Sequence, residues 1–122
     1  MEVVGLFRNA QDTVSLPAGD VVFQQGDDGD LMYGIVEGEI ELRTSSRVIA
    51  TLGPDDVFGE MAVVDHSPRM ASAVAKVDSV LAVIDQRTFL FLVHETPTFA
   101  LSVMSAMANH FRTAGAAVSE SS

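Results

Sequence analysis

The hydrophobic period of this chain lengthens close to Asp85, and that change limits the folds open to it. Between Asp12 and Ile84, short runs of β-branched and alternating residues are broken by turn signals at close intervals, the pattern of an all-β roll or barrel. Val21-Val22-Phe23 is one such run. It is followed by the turn cluster Gly26-Asp27-Asp28-Gly29-Asp30, where glycine supplies positive φ and aspartate bonds nearby backbone. Leu31 to Val36 is a second run, and Glu37-Gly38 reads as a hairpin turn. Glu39-Ile40-Glu41-Leu42 alternates with period two, which turns Ile40 and Leu42 inward. Ser45-Ser46 leads into Val48 to Leu52, and Ala71 to Val77 with Val80 to Ile84 reads as a final pair around Asp78-Ser79.

Beyond Asp85 the period lengthens. Gln86 to His94 reads as a helix, and Thr96-Pro97 as the start of another, since proline fits a first turn that does not need its N–H. Phe99, Val103, Met107 and Phe111 then recur at steps of four, with Ala100, Met104 and Ala108 beside them. That is an apolar stripe on a helix running to about Ala117, before a polar, frayed tail at Ser119 to Ser122. At the other end, residues 1–10 read as a short apolar helix or turn with Val3, Leu6 and Phe7 on one side. The expected class is therefore mainly β. A β-roll (double-stranded β-helix or jelly-roll) covers about residues 12–85, and flanking helices include C-terminal ones at about 86–94 and 97–117.

The 122 residues fit one domain, 1–122, long enough to bury a core without staples. Cysteine is absent, so no disulfide is needed. No apolar run reaches the ~18 residues of a membrane span. The start, Met1 to Arg8, lacks the basic head and cleavage site of a signal peptide, so a cytoplasmic location is expected. Seventeen acids against seven bases give a formal charge of −10, and Lys76 is the one lysine. A field of that sign repels nucleic acid, whose binding rests on neutralised phosphates, so direct binding by this chain is not expected. A small anion needs a local positive site that overcomes the overall field.

One stretch offers such a site: Phe58-Gly59-Glu60-Met61-Ala62-Val63-Val64, then Pro68-Arg69-Met70-Ala71-Ser72. Gly59 lets backbone approach a ligand closely. A short helix starting there aims unpaired N–H groups at an anion. The planar fork of Arg69 matches two phosphate oxygens, and Glu60 can accept hydrogen bonds from sugar hydroxyls. Pro68 fixes the approach to Arg69, and Ala71 leaves room beside it.

This stretch resembles the phosphate-binding cassette of the cyclic nucleotide-binding domain family, as found in the catabolite activator protein and the regulatory subunits of cyclic-AMP-dependent kinase. Gly26 to Tyr33 and Ile35 to Ile40 resemble the family's glycine-marked strands, so the likeness runs from about Leu16 to Arg112. The resemblance implies reversible binding of a cyclic nucleotide monophosphate by a regulatory sensor that is not an enzyme and uses no cofactor. Cyclic AMP is preferred to cyclic GMP, because Met70 stands where a hydroxyl residue is associated with cyclic GMP. It further implies that Arg69 pairs with the cyclic phosphate and Glu60 with the ribose 2′-hydroxyl. Phe58, Gly59, Met61, Ala62, Pro68, Met70, Ala71 and Ser72 complete the cassette, and the last helix closes over the base near Phe111, Arg112 and Thr113. Asp55-Asp56 stands where the family often has Gly-Asp. In the family's bacterial regulators the last helix is a dimer seam, so a homodimer is expected; the alternative is a monomer whose helix lies on its own roll. The effector is not legible.

Other readings carry less. Glu60 and Arg69 alone would suggest a surface ion pair worth under about 1 kcal/mol. Asp27, Asp28 and Asp30 lack the spacing of an EF-hand loop. His66, His94 and His110 are scattered, which argues against a metal site, and no nucleophilic triad is visible. The alternatives to a sensor are an interaction module of the same fold without ligand, and the sensory part of a transcription regulator lacking its DNA-binding domain.

Overall fold

The computed structural model describes Phe7, Ala10, residues 12–45 and residues 47–121, with side chains described as far as Asn109. Strands β1 (Thr13–Leu16), β2 (Val21–Phe23), β3 (Met32–Glu37), β4 (Ile40–Thr44), β5 (Arg47–Leu52) and β6 (Val57–Phe58) precede the short helix α1 (Glu60–Val64). Then come β7 (Ser72–Ala75), β8 (Ser79–Ile84), α2 (Gln86–Glu95) and α3 (Pro97–Ser121). The strands form two four-stranded antiparallel sheets, in the orders β1-β8-β3-β6 and β2-β7-β4-β5. This is the mainly β roll with C-terminal helices that the period predicts.

The turn signals do not all mean what a local reading assigns. The turn at Ser45 does belong to a hairpin, since β4 pairs with β5. Glu37-Gly38 does not, because β3 and β4 belong to different sheets. Gly38, at φ 100°, is a corner between the sheets, and a Cβ there would lie 2.2 Å from Ser79 Oγ. Likewise β7 and β8 are not partners: β7 lies between β2 and β4, and β8 between β1 and β3. A tight turn links two strands in either case; which sheet receives the second strand depends on contacts distant in sequence.

Alternation decides where the core sits. Ile40 and Leu42 of β4 are buried, as the period-two pattern requires, and join Ile35, Phe58, Ala71, Ala73, Ala75 and Leu81 in an apolar cluster fed by both sheets. The opposite face of the first sheet supplies Met32, Val57, Ala82 and Ile84 to a second cluster with Phe7, Val63, Phe99 and Val103. The first sheet is thus covered on both faces, by strands on one and helices on the other. Phe99 meets Phe7 and Phe89 edge-on, with centroids 6.3 and 5.8 Å away. Burying side chains of this kind stabilises the fold by about 1.5–3 kcal/mol each.

The stripe on α3 is therefore at least partly internal. Phe99 and Val103 are core, and Met107 packs against them. Leu101 and Met104 face outward. Phe111 and Arg112 lie on α3, but their side chains fall outside the described residues, as does the remainder of residues 1–10 apart from Phe7 and Ala10. The backbone of α3 stays helical to Ser121 rather than fraying after Ala117, since no proline stops it there. At the start of α2, the Asp85 carboxylate accepts the Thr88 N–H at 2.7 Å, a cap that satisfies an otherwise unpaired donor.

Candidate functional site

The cassette residues are brought together by two elements, α1 and the segment entering β7. Phe58 ends β6 fully buried, and Gly59 turns the chain at φ 76°, ψ 13° to cap α1. Only glycine takes that left-handed conformation without cost. A Cβ there would also lie 2.8 Å from Arg69 Nη1 and 3.4 Å from Leu31 O. Glu60 opens α1, and Ala62 anchors the helix in the core. Met61 is half-buried. The helix ends where Asp65 N–H bonds Met61 O at 2.9 Å. Asp65 then accepts the Ser67 N–H and hydroxyl, which shapes the loop toward Pro68 and holds its carboxyl below the usual range.

Arg69 is stitched to the turn after β2. Its N–H bonds Asp27 O at 2.9 Å, and its carbonyl accepts the Gly26 N–H at 2.8 Å. Asp27 shapes that turn by accepting the Gln24 N–H, the ordinary aspartate turn role rather than a metal ligand's. Further along, the Ser72 hydroxyl accepts the Gln25 N–H at 2.9 Å. Ala71 is buried, while Pro68 and Met70 face out, Met70 with 48% of its surface exposed.

The result is a buried cation beside a buried carboxylate. Arg69 is 8% exposed and Glu60 is 2% exposed, which rules out the solvated surface pair. Burial lowers the Arg69 pKa, and the Tyr33 hydroxyl, Asp30, Asp27 and Glu60 oppose that shift. Guanidinium remains charged in any case. Its Nη1 reaches Gly59 O at 3.3 Å, and its Nε is buried with no hydrogen-bond partner among the described residues. The central carbon lies 4.0 Å over the Phe23 ring. Phe23, Tyr33 and Phe58 form an aromatic cluster beneath it, and burial raises the Tyr33 pKa.

Sequence reasoning singled out the cassette but took Phe23 as a strand residue and Gly29 as part of a turn. Nothing local marks them as neighbours of Arg69. The available signal was the unusual density of glycine and aspartate directly after Phe23. Elsewhere, a shallow groove of about 460 Å³ lined by Leu16, Pro17, Glu37 and Asp78 contains no cassette residue and no cationic side chain, so it offers an anion nothing. Among the described residues, no three His, Cys, Asp or Glu side chains converge as a metal site would require.

With this geometry in hand, comparison with known proteins is specific. The family model for the cyclic nucleotide-binding domain matches residues 13–96, and the chain belongs to that family. It is 36% identical over 103 residues to the cyclic AMP receptor protein of Thermus thermophilus, covering 80% of this chain and 48% of that protein. It is 36% identical over 84 residues to the cAMP-dependent protein kinase regulatory subunit of Eremothecium gossypii, covering 69% of this chain and 18% of that one. The chain thus spans about half the length of the first relative and less of the second. Among solved structures, the Thermus thermophilus catabolite activator protein superposes with a TM-score of 0.73 at 32% identity, covering 88% of this chain and 53% of that chain. A structure from a cyclic-GMP-dependent signalling pathway of bacterial phytopathogenesis gives 0.69 at 28% identity, covering 82% and 84%.

Proposed function

We propose that this protein reversibly binds a cyclic nucleotide monophosphate, cyclic AMP in preference to cyclic GMP, and acts as a regulatory sensor without catalysing a reaction. The observation that carries the reading is Arg69. A guanidinium on a residue only 8% exposed keeps an unpartnered Nε, while its Nη1 lies beside Gly59 at the start of α1. Leaving a buried charged donor unpaired is costly, and a phosphate oxygen supplies the missing acceptor.

In this reading Arg69 binds the cyclic phosphate. Gly59 and the backbone N–H groups of Glu60 and Met70 lie along ribose and phosphate oxygens, and Glu60 takes the ribose 2′-hydroxyl. Phe58, Met61, Ala62, Pro68, Ala71 and Ser72 hold that frame, and Arg112 on α3 lies in the region that closes over the base. Met70 brings no side-chain hydroxyl, which supports cyclic AMP. Ligand that contacts both the cassette and α3 shifts the population of α3 positions toward the one with better contacts. The outward Leu101 and Met104 leave α3 an apolar face for a homodimer. The charge of −10 supports a chain that does not bind nucleic acid itself. Among the described residues no helix is long and apolar enough to cross a membrane, and we place the protein in the cytoplasm.

The test is a calorimetric titration with cyclic AMP and cyclic GMP, on the protein and on Arg69→Ala. Two charge-assisted hydrogen bonds at about 1.5–3 kcal/mol each imply a loss of roughly 100-fold or more in the variant. Folded protein, freed of co-purified nucleotide, that takes up neither ligand would return the chain to the ligand-free interaction module.

A further inference from the structure

The cassette explains what Arg69 would bind, but not what holds its guanidinium in place. Its partners are few. Nη1 makes one long bond, 3.3 Å to Gly59 O, and Nε has no partner among the described residues. Asp27, Asp30 and Glu60 act on it through their charge. The close contacts are of another kind. On one side the guanidinium carbon lies 4.0 Å over the Phe23 ring. On another is Gly29, where a Cβ would fall 2.5 Å from Nη2 and 2.8 Å from both the central carbon and Nε. Gly29 does not have positive φ, so backbone conformation alone does not require glycine. What requires it is the space taken by Arg69.

We propose that Phe23 and Gly29 are positioning residues: the ring face and the bare backbone form a slot that sets the plane of the Arg69 guanidinium for a cyclic phosphate. The inference rests on the functional reading above. A cation over an aromatic face is attracted by the ring quadrupole, more strongly where water is excluded. That attraction fixes the plane without using any N–H donor, so the donors stay free for the ligand. A carboxylate partner would hold the arginine as firmly but would occupy its fork. The slot also explains how an unpartnered Nε persists. The turn carrying Gly29 is fixed to the cassette by the two backbone bonds between Arg69 and Gly26-Asp27, so the wall moves with the residue it positions.

The test uses Phe23→Leu, Phe23→Tyr and Gly29→Ala in the full chain. Two readouts apply: cyclic AMP affinity by calorimetry, and the proton shifts of the Arg69 side chain by nuclear magnetic resonance. Phe23→Leu keeps an apolar side chain but removes the π face, and its affinity should fall roughly 3- to 30-fold. Phe23→Tyr should restore binding to within about threefold, which a purely volumetric role does not predict. The nearest atoms to an added Cβ at Gly29 all belong to the Arg69 guanidinium, the far end of a flexible side chain and not backbone, so Gly29→Ala should melt close to the parent yet bind roughly tenfold or more weakly. In the unligated parent, protons over the ring face should be shifted upfield by its ring current, and that shift should vanish in Phe23→Leu.

Leucine and tyrosine variants that bind alike, or a Gly29→Ala protein that binds like the parent, overturn the slot. If the parent takes up neither nucleotide, the functional reading fails on its own. The ring-current shift then still decides the positioning claim, which is lost if Arg69 resonates as a solvated arginine.

Discussion

Gly34→Ala offers a demanding test of how the roll is tied to its helices. Gly34 sits mid-strand in β3, between Ala82 of β8 and Val57 of β6. Its φ is not positive, so alanine carries no backbone penalty there. The obstacle is Phe7. An alanine Cβ would lie 2.4 Å from Cε2 and Cζ of that ring, inside any real contact distance. Phe7 cannot simply yield, because it is 3% exposed and meets Phe99 of α3 edge-on at 6.3 Å. Relief therefore means displacing the ring by about 1 Å, and overpacking of this sort costs about 1–3 kcal/mol. At roughly 3–6 °C per kcal/mol for a chain of this size, the melting temperature should fall by roughly 5–15 °C. Urea denaturation of Gly34→Ala gives the penalty directly, and a Phe7→Leu background locates it. With leucine in place of the ring, the added methyl finds space and the penalty should drop by at least half, a coupling expected only between residues in contact. A variant within about 0.5 kcal/mol of the parent, or a penalty that simply adds to that of Phe7→Leu, would refute the argument.

Backbone strain and titration supply further tests. Asp55 and His66 hold φ of 72° and 58°, where side chains other than glycine are disfavoured. His66→Gly should raise stability by about 0.5–1 kcal/mol, the left-handed penalty less the extra chain entropy, as read by chemical denaturation. The Asp85 carboxyl is held below its ordinary value, chiefly by the Thr88 N–H it accepts. A depressed folded-state pKa means that its stabilisation is complete above the unfolded value near 3.8 and is lost as pH falls through the folded one. Asp85→Ala should therefore lower the melting temperature at neutral pH and narrow the gap to the parent as the solution is acidified. Asp85→Asn should keep the cap but lose that pH dependence.

Much of this fold was legible because it follows local period. Ile40 and Leu42 alternate inward, the helices begin where the lengthened period and Thr96-Pro97 put them, and Phe99 and Val103 fall on the buried side at helical spacing. Two strands had weaker signals. In β1 three of four residues are exposed, so no buried alternation shows, and β6 is two residues long. Sheet membership was not legible at all. Glu37-Gly38 and Asp78-Ser79 look like hairpins, yet each carries the chain from one sheet to the other. The site divides in the same way. Gly59, Glu60 and Arg69 stand close enough in sequence for their chemistry to be read as a unit. The contact of Arg69 with Phe23 and Gly29 is made by the return of β7 alongside β2, and neither residue type announces it. Asp55 marks a position where turn chemistry favours glycine, and it holds a left-handed φ there all the same.

The measurement that tests the account most directly follows the Arg69 Nε–H resonance during titration with cyclic AMP, beside adenosine, which has no phosphate. A hydrogen bond to phosphate should move that proton downfield along the same isotherm that calorimetry reports, and adenosine should leave it in place. Saturable uptake of cyclic AMP with the Nε–H unmoved would contradict the account, because the nucleotide would then be bound without the buried cation on which the reading rests.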